Sequence, residues 1–179
     1  MNRATHRAVR GSDGVVERTI GVISDTHGLI RPEAIEALRG SEHIIHAGDM
    51  GDPSILERLR ELAPVTAVRG NVDGGDWARR IPRTNVVEIR GFTIYVLHNL
   101  DELDLNPESA GLSAVVYGHS HIPRQEFTNG VLYFNPGSAG PRRFQLPISV
   151  GKLWVDEAKL RAEILELAVT TPVGSHTRR

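Results

Sequence analysis

Residues 113–121, Ser-Ala-Val-Val-Tyr-Gly-His-Ser-His, set two imidazoles one residue apart directly after an apolar run. Gly118 is read as the turn that lets both rings converge on one site. Four more apolar runs end in the same kinds of residue: Ile20–Ser24 before Asp25-Thr-His27, His43–Ala47 before Gly48-Asp49, Val65–Val68 before Gly70-Asn71-Val72-Asp73, and Phe92–Leu97 before His98. Carboxylates, an amide and imidazoles at the ends of buried strands make an oxygen–nitrogen donor set for a divalent cation. The absence of cysteine excludes disulfides, thiolate nucleophiles and Cys-ligated zinc or iron–sulfur centres. A two-ion centre acting on phosphate esters needs a carboxylate able to bridge ions about 3.5–4 Å apart. Asp49, between two ligand pairs, is the expected bridge. Two ions so placed give a hydroxide nucleophile at neutral pH and polarise the phosphoryl oxygens for in-line displacement. No serine near these motifs has a dedicated base, and no Gly-rich loop of the P-loop type is present.

The elements that must carry these residues follow from periodicity. The first strand, Thr19–Ser24, is apolar on both faces, as a central parallel strand should be. A helix follows, with Pro32 in its first turn, an Ala34, Ile35, Leu38 stripe and Gly40 beyond its end. A strand over His43–Ala47 leads to Asp52-Pro53, which caps and starts a second helix with the stripe Ile55, Leu56, Leu59, Leu62. A third strand covers Val65–Val68. This β-α-β-α-β order implies a parallel sheet with its ligand site at the strand C-termini. Val86–Ile89 and Phe92–Leu97 form an antiparallel hairpin expected to continue that sheet, residues 99–112 a loop or short helix, and Gln125–Phe127 with Val131–Phe134 a hairpin about the type I′ pair Asn129-Gly130. Residues 148–169 fit two strands or a strand and a helix, since Leu160, Ile164 and Leu167 have helical spacing while Leu160, Ala162 and Ile164 alternate, and the reading taken is strands.

Length and composition set outer limits. At 179 residues with 40% hydrophobic content, the chain has room for one core. Residues 1–18 read as a flexible arm, 19–169 as the domain and 170–179 as a polar tail, with His6 and His176 idle. A net charge of -1 gives no electrostatic reason for nucleic acid or a membrane surface as partner. No apolar stretch approaches the ~20 residues of a membrane span. The expected address is the cytoplasm, the expected partner a small phosphate ester, and a homo-oligomer is left open.

Taken together and in order, Asp25-x-His27, Gly48-Asp49, Gly70-Asn71-x-Asp73, His98 and Gly118-His119-x-His121 resemble the calcineurin-like metallophosphoesterase superfamily. Asn135-Pro-Gly-Ser138 is similar to its small bacterial and archaeal phosphodiesterase branch. The resemblance spans about residues 19–168. It implies an α/β fold, a four-layer α/β/β/α sandwich with two mixed β-sheets. It further implies a metal-dependent phosphodiesterase with two divalent ions, Mn²⁺ first and Fe²⁺, Ni²⁺, Co²⁺ or Zn²⁺ as alternatives. Asp25, His27, Asp49 and His121 would bind one ion, and Asp49, Asn71, His98 and His119 the other, with Asp49, Asn71, His98 and His119 carrying the catalysis. Two positions depart from the pattern. Val72 stands where many members place a candidate general-acid His, and His98-Asn99-Leu100 lacks a second His found in that branch. Phosphomonoesterase, nuclease and non-catalytic interaction scaffold are the alternative functions. His46, Asp73, Asn135 and Arg142 are candidates for substrate contact or for supporting the ligands from behind. His43 reads as structural, Asp52 as a helix cap, Arg143 as a phosphate candidate beside Arg142, and Trp77 and Trp154 as packing residues.

Overall fold

The computed structural model describes residues 18–156 and 159–169. The tail over 170–179, His6, His176 and the arm except Arg18 lie outside the described residues. Arg18 itself opens the first strand. Elements run β1 (Arg18–Ile23), α1 (Pro32–Leu38), β2 (His43–His46), α2 (Ser54–Arg60), β3 (Val65–Ala67), α3 (Gly75–Arg79), β4 (Thr84–Ile89), β5 (Phe92–Leu97), a 3₁₀ turn (Leu100–Glu102), β6 (Ala114–Val116), β7 (Arg124–Thr128), β8 (Val131–Asn135), β9 (Ser149–Val155) and β10 (Leu160–Glu166). They form two five-stranded mixed sheets, ordered β10-β9-β1-β2-β3 and β4-β5-β6-β8-β7. Strands β1, β2 and β3 are mutually parallel, as are β5, β6 and β8.

The hairpin of β4 and β5 does not continue the first sheet, contrary to the sequence expectation; it begins the second. Packing explains this. Ile20, Val22 and Ile45 of the first sheet face Ile94, Val96, Ala114 and Phe134 of the second in one fully buried cluster. Hairpin strands added in the plane of the first sheet would leave both of these apolar faces in water. The other face of the first sheet, with Ile23 and Ile44, packs on Ala34, Leu38, Ile55 and Leu59 from α1 and α2. Beyond the second sheet, Tyr95, Leu97, Val115 and Tyr117 are covered by the 3₁₀ turn and residues Leu103, Leu105 and Leu112.

Local chemistry fixes the connections. Pro32 opens α1, where its missing N–H costs nothing. The β4–β5 and β7–β8 hairpins each turn on two residues of positive φ, Arg90-Gly91 and Asn129-Gly130, the type I′ geometry expected of the second pair. The helix α3, unread from sequence, hides behind Gly74-Gly75, residues that ordinarily interrupt helices. Residues 160–166 form a strand, with Leu160, Ala162 and Ile164 turned to the core between the sheets.

Gly151 on β9 makes the fit between sheets testable. A Cβ there would overlap the ring of Phe134, which is completely buried and cannot swing away. Gly151→Ala should therefore destabilise the fold by roughly 1–3 kcal/mol through overpacking. A denaturant midpoint equal to that of the wild type would contradict this.

Candidate metal centre

The parallel strands β1, β2, β3, β5 and β6 end at one edge of the sandwich, and the continuation of each carries a candidate ligand. The continuations are tied to each other by backbone hydrogen bonds: Asp25 N–H to Gly48 O at 3.0 Å, His27 N–H to Asp49 O at 3.0 Å, and Gly118 N–H to His98 O at 2.9 Å. Asp25, His27, Asp49, His119 and His121 all have positive φ, between 46° and 67°. Non-glycine residues held there cost backbone strain, which clusters at functional sites.

The bend after β6 lies at His119 and His121 themselves, not at Gly118 as the sequence suggests. Gly118 is required for another reason, because a Cβ would overlap Ser24 Oγ and come 2.6 Å from Asp25 Oδ2. Nor do the two rings meet. His121 Nε2 lies 3.2 Å from His27 Nε2 and 3.2 Å from Asp25 Oδ1. His119 turns the other way, its Nδ1 3.0 Å from Asn71 Oδ1 and its ring edge-on to His98.

Asp49 stands between these halves. Its Oδ1 accepts the Val72 N–H at 2.9 Å. Its Oδ2 is 3.9 Å from His27 Nε2 and 3.4 Å from His98 Nε2. The donor atoms of Asp25, His27 and His121 lie within 4.8 Å of one another, as do those of Asp25, Asp49 and His98. Asp25 thus also reaches the half assigned to the second ion.

Electrostatics here favour a cation. His98 Nδ1 is 2.8 Å from the Ala47 carbonyl, which can only accept, so the neutral ring keeps its proton on Nδ1. A bare Nε2 then faces Asp49 Oδ2 and, at 3.1 Å, Asn71 Oδ1. Burial alone would lower the His98 pKa, but the Asp49 carboxylate and the Ala47 carbonyl outweigh it and raise the pKa. Asp49 shows the mirror image: burial pushes its carboxyl up, and the bonds it accepts from the protonated His98 ring and from Val72 N–H hold it below the usual range. His27 is lowered, chiefly by burial, with Arg143 adding to that against the two carboxylates. Buried Asp25 Oδ1 has no hydrogen-bond partner, because the nearby imidazole is not aligned to donate. Such an orphaned carboxylate oxygen among imidazole nitrogens is what a divalent ion would satisfy, so the residues fit a metal.

Other candidates are placed away from the ligand cluster. Fully buried His46 accepts the Gly48 N–H on Nδ1 at 3.2 Å, so its Nε2–H donates to Thr26 Oγ1 at 3.0 Å. It therefore clamps the Asp25–His27 segment to the one holding Asp49. Asp73 spans two other segments, its oxygens accepting from Gly51 N–H and Gly70 N–H at 2.8 Å each. Asn135 is buried and spent on the His loop, donating to Gly118 O and Ser120 Oγ and accepting from Gly137 N–H. Arg142 is exposed and donates within its own loop to Leu146 O at 3.3 Å. His43 bonds Thr66 Oγ1, and Asp52 Oδ1 accepts from Ser54 N–H at the start of α2. Sequence reasoning missed Arg69 and Arg83, which line a cleft beside Asn71, His98 and His119. Only their arginine chemistry could have flagged them, since nothing in the spacing joins them.

Comparison with known proteins shows the family of the chain. The model of the calcineurin-like phosphoesterase superfamily domain matches residues 19–158. A protein of Methanothermobacter thermautotrophicus named a probable metallophosphoesterase is 37% identical, over 82% of this chain and 91% of its own. The solved structure of an archaeal phosphodiesterase superposes with a TM-score of 0.68 at 27% identity, covering 82% of this chain and 99% of that one. Vps29 of Chaetomium thermophilum superposes with a TM-score of 0.70 at 22% identity, covering 81% and 86%, a likeness of fold.

The clamp made by His46 has a pH signature. Burial drops its pKa from 6.5 to about 4. Between those values the unfolded chain binds a proton that the folded chain refuses, so stability from this residue is full above pH 6.5 and falls as pH drops toward 4. Denaturant midpoints of the metal-free protein across that range should fall more gently in His46→Gln than in wild type. Parallel curves would show that His46 does not titrate as its burial requires.

Proposed function

The chain belongs to the calcineurin-like phosphoesterase superfamily, and we propose that it is a phosphodiesterase acting on small phosphate esters, with its active site at the cluster around Asp49. In this reading Asp25, His27, Asp49 and His121 hold one divalent ion, and Asp49, Asn71, His98 and His119 hold a second. Mn²⁺ is the first expectation, with Fe²⁺, Ni²⁺, Co²⁺ or Zn²⁺ taken according to availability, since a nitrogen–oxygen donor set selects weakly among them. When bound, such a pair supplies Lewis acidity to the phosphoryl oxygens and lowers the pKa of a water held between the ions.

The observation that carries the reading is the position of Asp49 Oδ2, which faces an imidazole nitrogen of each half at 3.9 and 3.4 Å. The chain's own residues prepare this. The Val72 N–H anchors Oδ1, which turns Oδ2 toward both halves. The Ala47 carbonyl sets the tautomer of His98, and Asp73 fixes the backbone that presents Asn71. The preference for diesters is supported by the archaeal phosphodiesterase among the similar structures. The cytoplasm is the proposed setting. Among the described residues no helix is long and apolar enough to cross a membrane.

The second reading raised by the sequence is a non-catalytic interaction scaffold, and the likeness to Vps29, being one of fold, does not decide between the two. Against it stands the full set of seven donor residues, Asp25, His27, Asp49, Asn71, His98, His119 and His121, brought to one edge of the sandwich.

Mutations separate ligands from their supports. Asp49→Asn should lower kcat/KM more than His27→Gln, because it weakens both halves at once. His46→Gln, which disturbs only orientation, should cost on the order of 10–100-fold and less than His119→Gln. Steady-state kinetics with Mn²⁺ saturating check the order, and a reversed order would move His46 into direct catalysis.

Val72 supports a further expectation. It is 47% exposed beside Asn71 and has no proton to give a leaving group. General acids commonly contribute about 10²–10⁴-fold, most for basic leaving groups. Values of kcat/KM for diesters of graded leaving-group pKa should therefore fall steeply from aryl to alkyl. A shallow slope would mean that another residue donates the proton.

A further inference from the structure

Beside the Asn71–His98–His119 half of the cluster lies an open cleft of about 80 Å³. Its remaining walls include Arg69, Arg83, Asn99 and Glu102. The two arginines come from different segments but are joined at the backbone, since Arg69 N–H donates to the carbonyl of Pro82, the residue before Arg83, at 2.9 Å. Asn99 is fixed too, its Oδ1 accepting the Asp101 N–H at 3.1 Å.

The charges in this cleft are unbalanced. Glu102 is the sole carboxylate lining it against two guanidinium groups. Glu102 faces Arg83 with Oε2 3.7 Å from Nη1, an exposed pair that water and salt largely screen. Arg69 is half-buried, and among the described residues its guanidinium makes no ion pair or side-chain hydrogen bond. Several more exposed guanidinium groups among the described residues have each found a carboxylate: Arg18 and Arg90 pair with Glu42, Arg39 with Glu36, Arg79 with Asp76, and Arg124 with Glu126. A planar fork of donors left open in a cleft wall matches an oxyanion in shape and charge.

We propose that this cleft is an oxyanion-binding subsite, and that the preferred substrates are phosphodiesters carrying a second anionic group on the organic arm that lies over His98 and His119. The inference rests on the phosphodiesterase reading and adds the substrate class. Arg69 supplies the unpaired fork, Arg83 the second cation, and Glu102 limits the attraction. The overall net charge of -1 offers no general pull on anions, so a preference must arise locally.

The test uses three symmetric diaryl phosphates of matched leaving-group pKa, bearing on each ring a sulfonate, a carboxylate or a chlorine. The cleft then receives the substituent whichever arm departs. With Mn²⁺ saturating, wild type should favour at least one anionic ester over the chloro ester in kcat/KM by roughly tenfold, as for a charge-assisted hydrogen bond. The better of the two anions identifies a tetrahedral or a planar oxyanion as the natural group. Arg83→Ala and Arg69→Gln should bring that ratio toward one, and Glu102→Gln should raise it. Arg79→Ala, on the exposed face of α3, should leave the ratio at its wild-type value. A wild-type ratio of one or less with good turnover of the chloro ester overturns the subsite and leaves the phosphodiesterase standing. An equal loss of ratio in Arg79→Ala would also overturn it, by showing a diffuse field in place of a site. No turnover of any of the three overturns the phosphodiesterase reading, and the subsite with it.

Discussion

The structure depends on holding two buried carboxylates, Asp25 and Asp49, against the nitrogens of His27, His98 and His121 at separations of 3.2 to 4.0 Å. These atoms are mostly acceptors, and packed together without a cation they leave a buried carboxylate oxygen unsatisfied. Such an arrangement persists only if the surrounding fold over-determines it. Hydrogen bonds between the strand continuations, left-handed backbone at five candidate ligand residues, and the clamps made by His46, Asp73 and Asn135 supply that constraint.

The two-sheet architecture is what allows the halves to share Asp49. The first sheet delivers Asp25, His27, Asp49 and Asn71 from β1, β2 and β3, and the second delivers His98, His119 and His121 from β5 and β6. The seam between them is set by close contacts, not by loops. A Cβ on Gly48, whose φ is +94°, would come 2.6 Å from His98 Nδ1, and the Ala47 carbonyl before it fixes that ring. Gly70 likewise admits the Asp49 side chain, which a Cβ would displace. Gly48 thus sets the distance between the sheets at the site, and Gly70 the spacing between the continuations of β2 and β3 within the first sheet.

Most of this edge is legible in the amino-acid sequence because each ligand directly follows an apolar run, and apolar runs of that length have few ways to be buried. What periodicity cannot report is how separate runs are arranged. It leaves open whether Phe92–Leu97 extends the first sheet or founds a second, a choice made by long-range packing of Ile94 and Val96 on Ile20 and Val22. Nor does a His-x-His spacing say that its rings part. That follows from positive φ at His119 and His121 and from the partners waiting on each side, Asn71 for one and Asp25 for the other. Arg69 and Arg83 are not legible for the same reason, since long-range contacts, among them that of Arg69 with Pro82, bring them to one cleft. Asn135 and His46 were legible as polar residues near the site, but their hydrogen bonds show them holding backbone and not awaiting a ligand.

In the proposed reading Asp49 would be a ligand to both cations. Crystals of the protein grown with Mn²⁺ and measured at a wavelength with strong manganese anomalous scattering test it most directly. The account predicts two anomalous peaks on either side of Asp49, one among Asp25, His27 and His121 and the other among Asn71, His98 and His119. A single peak, or peaks remote from Asp49, would contradict it.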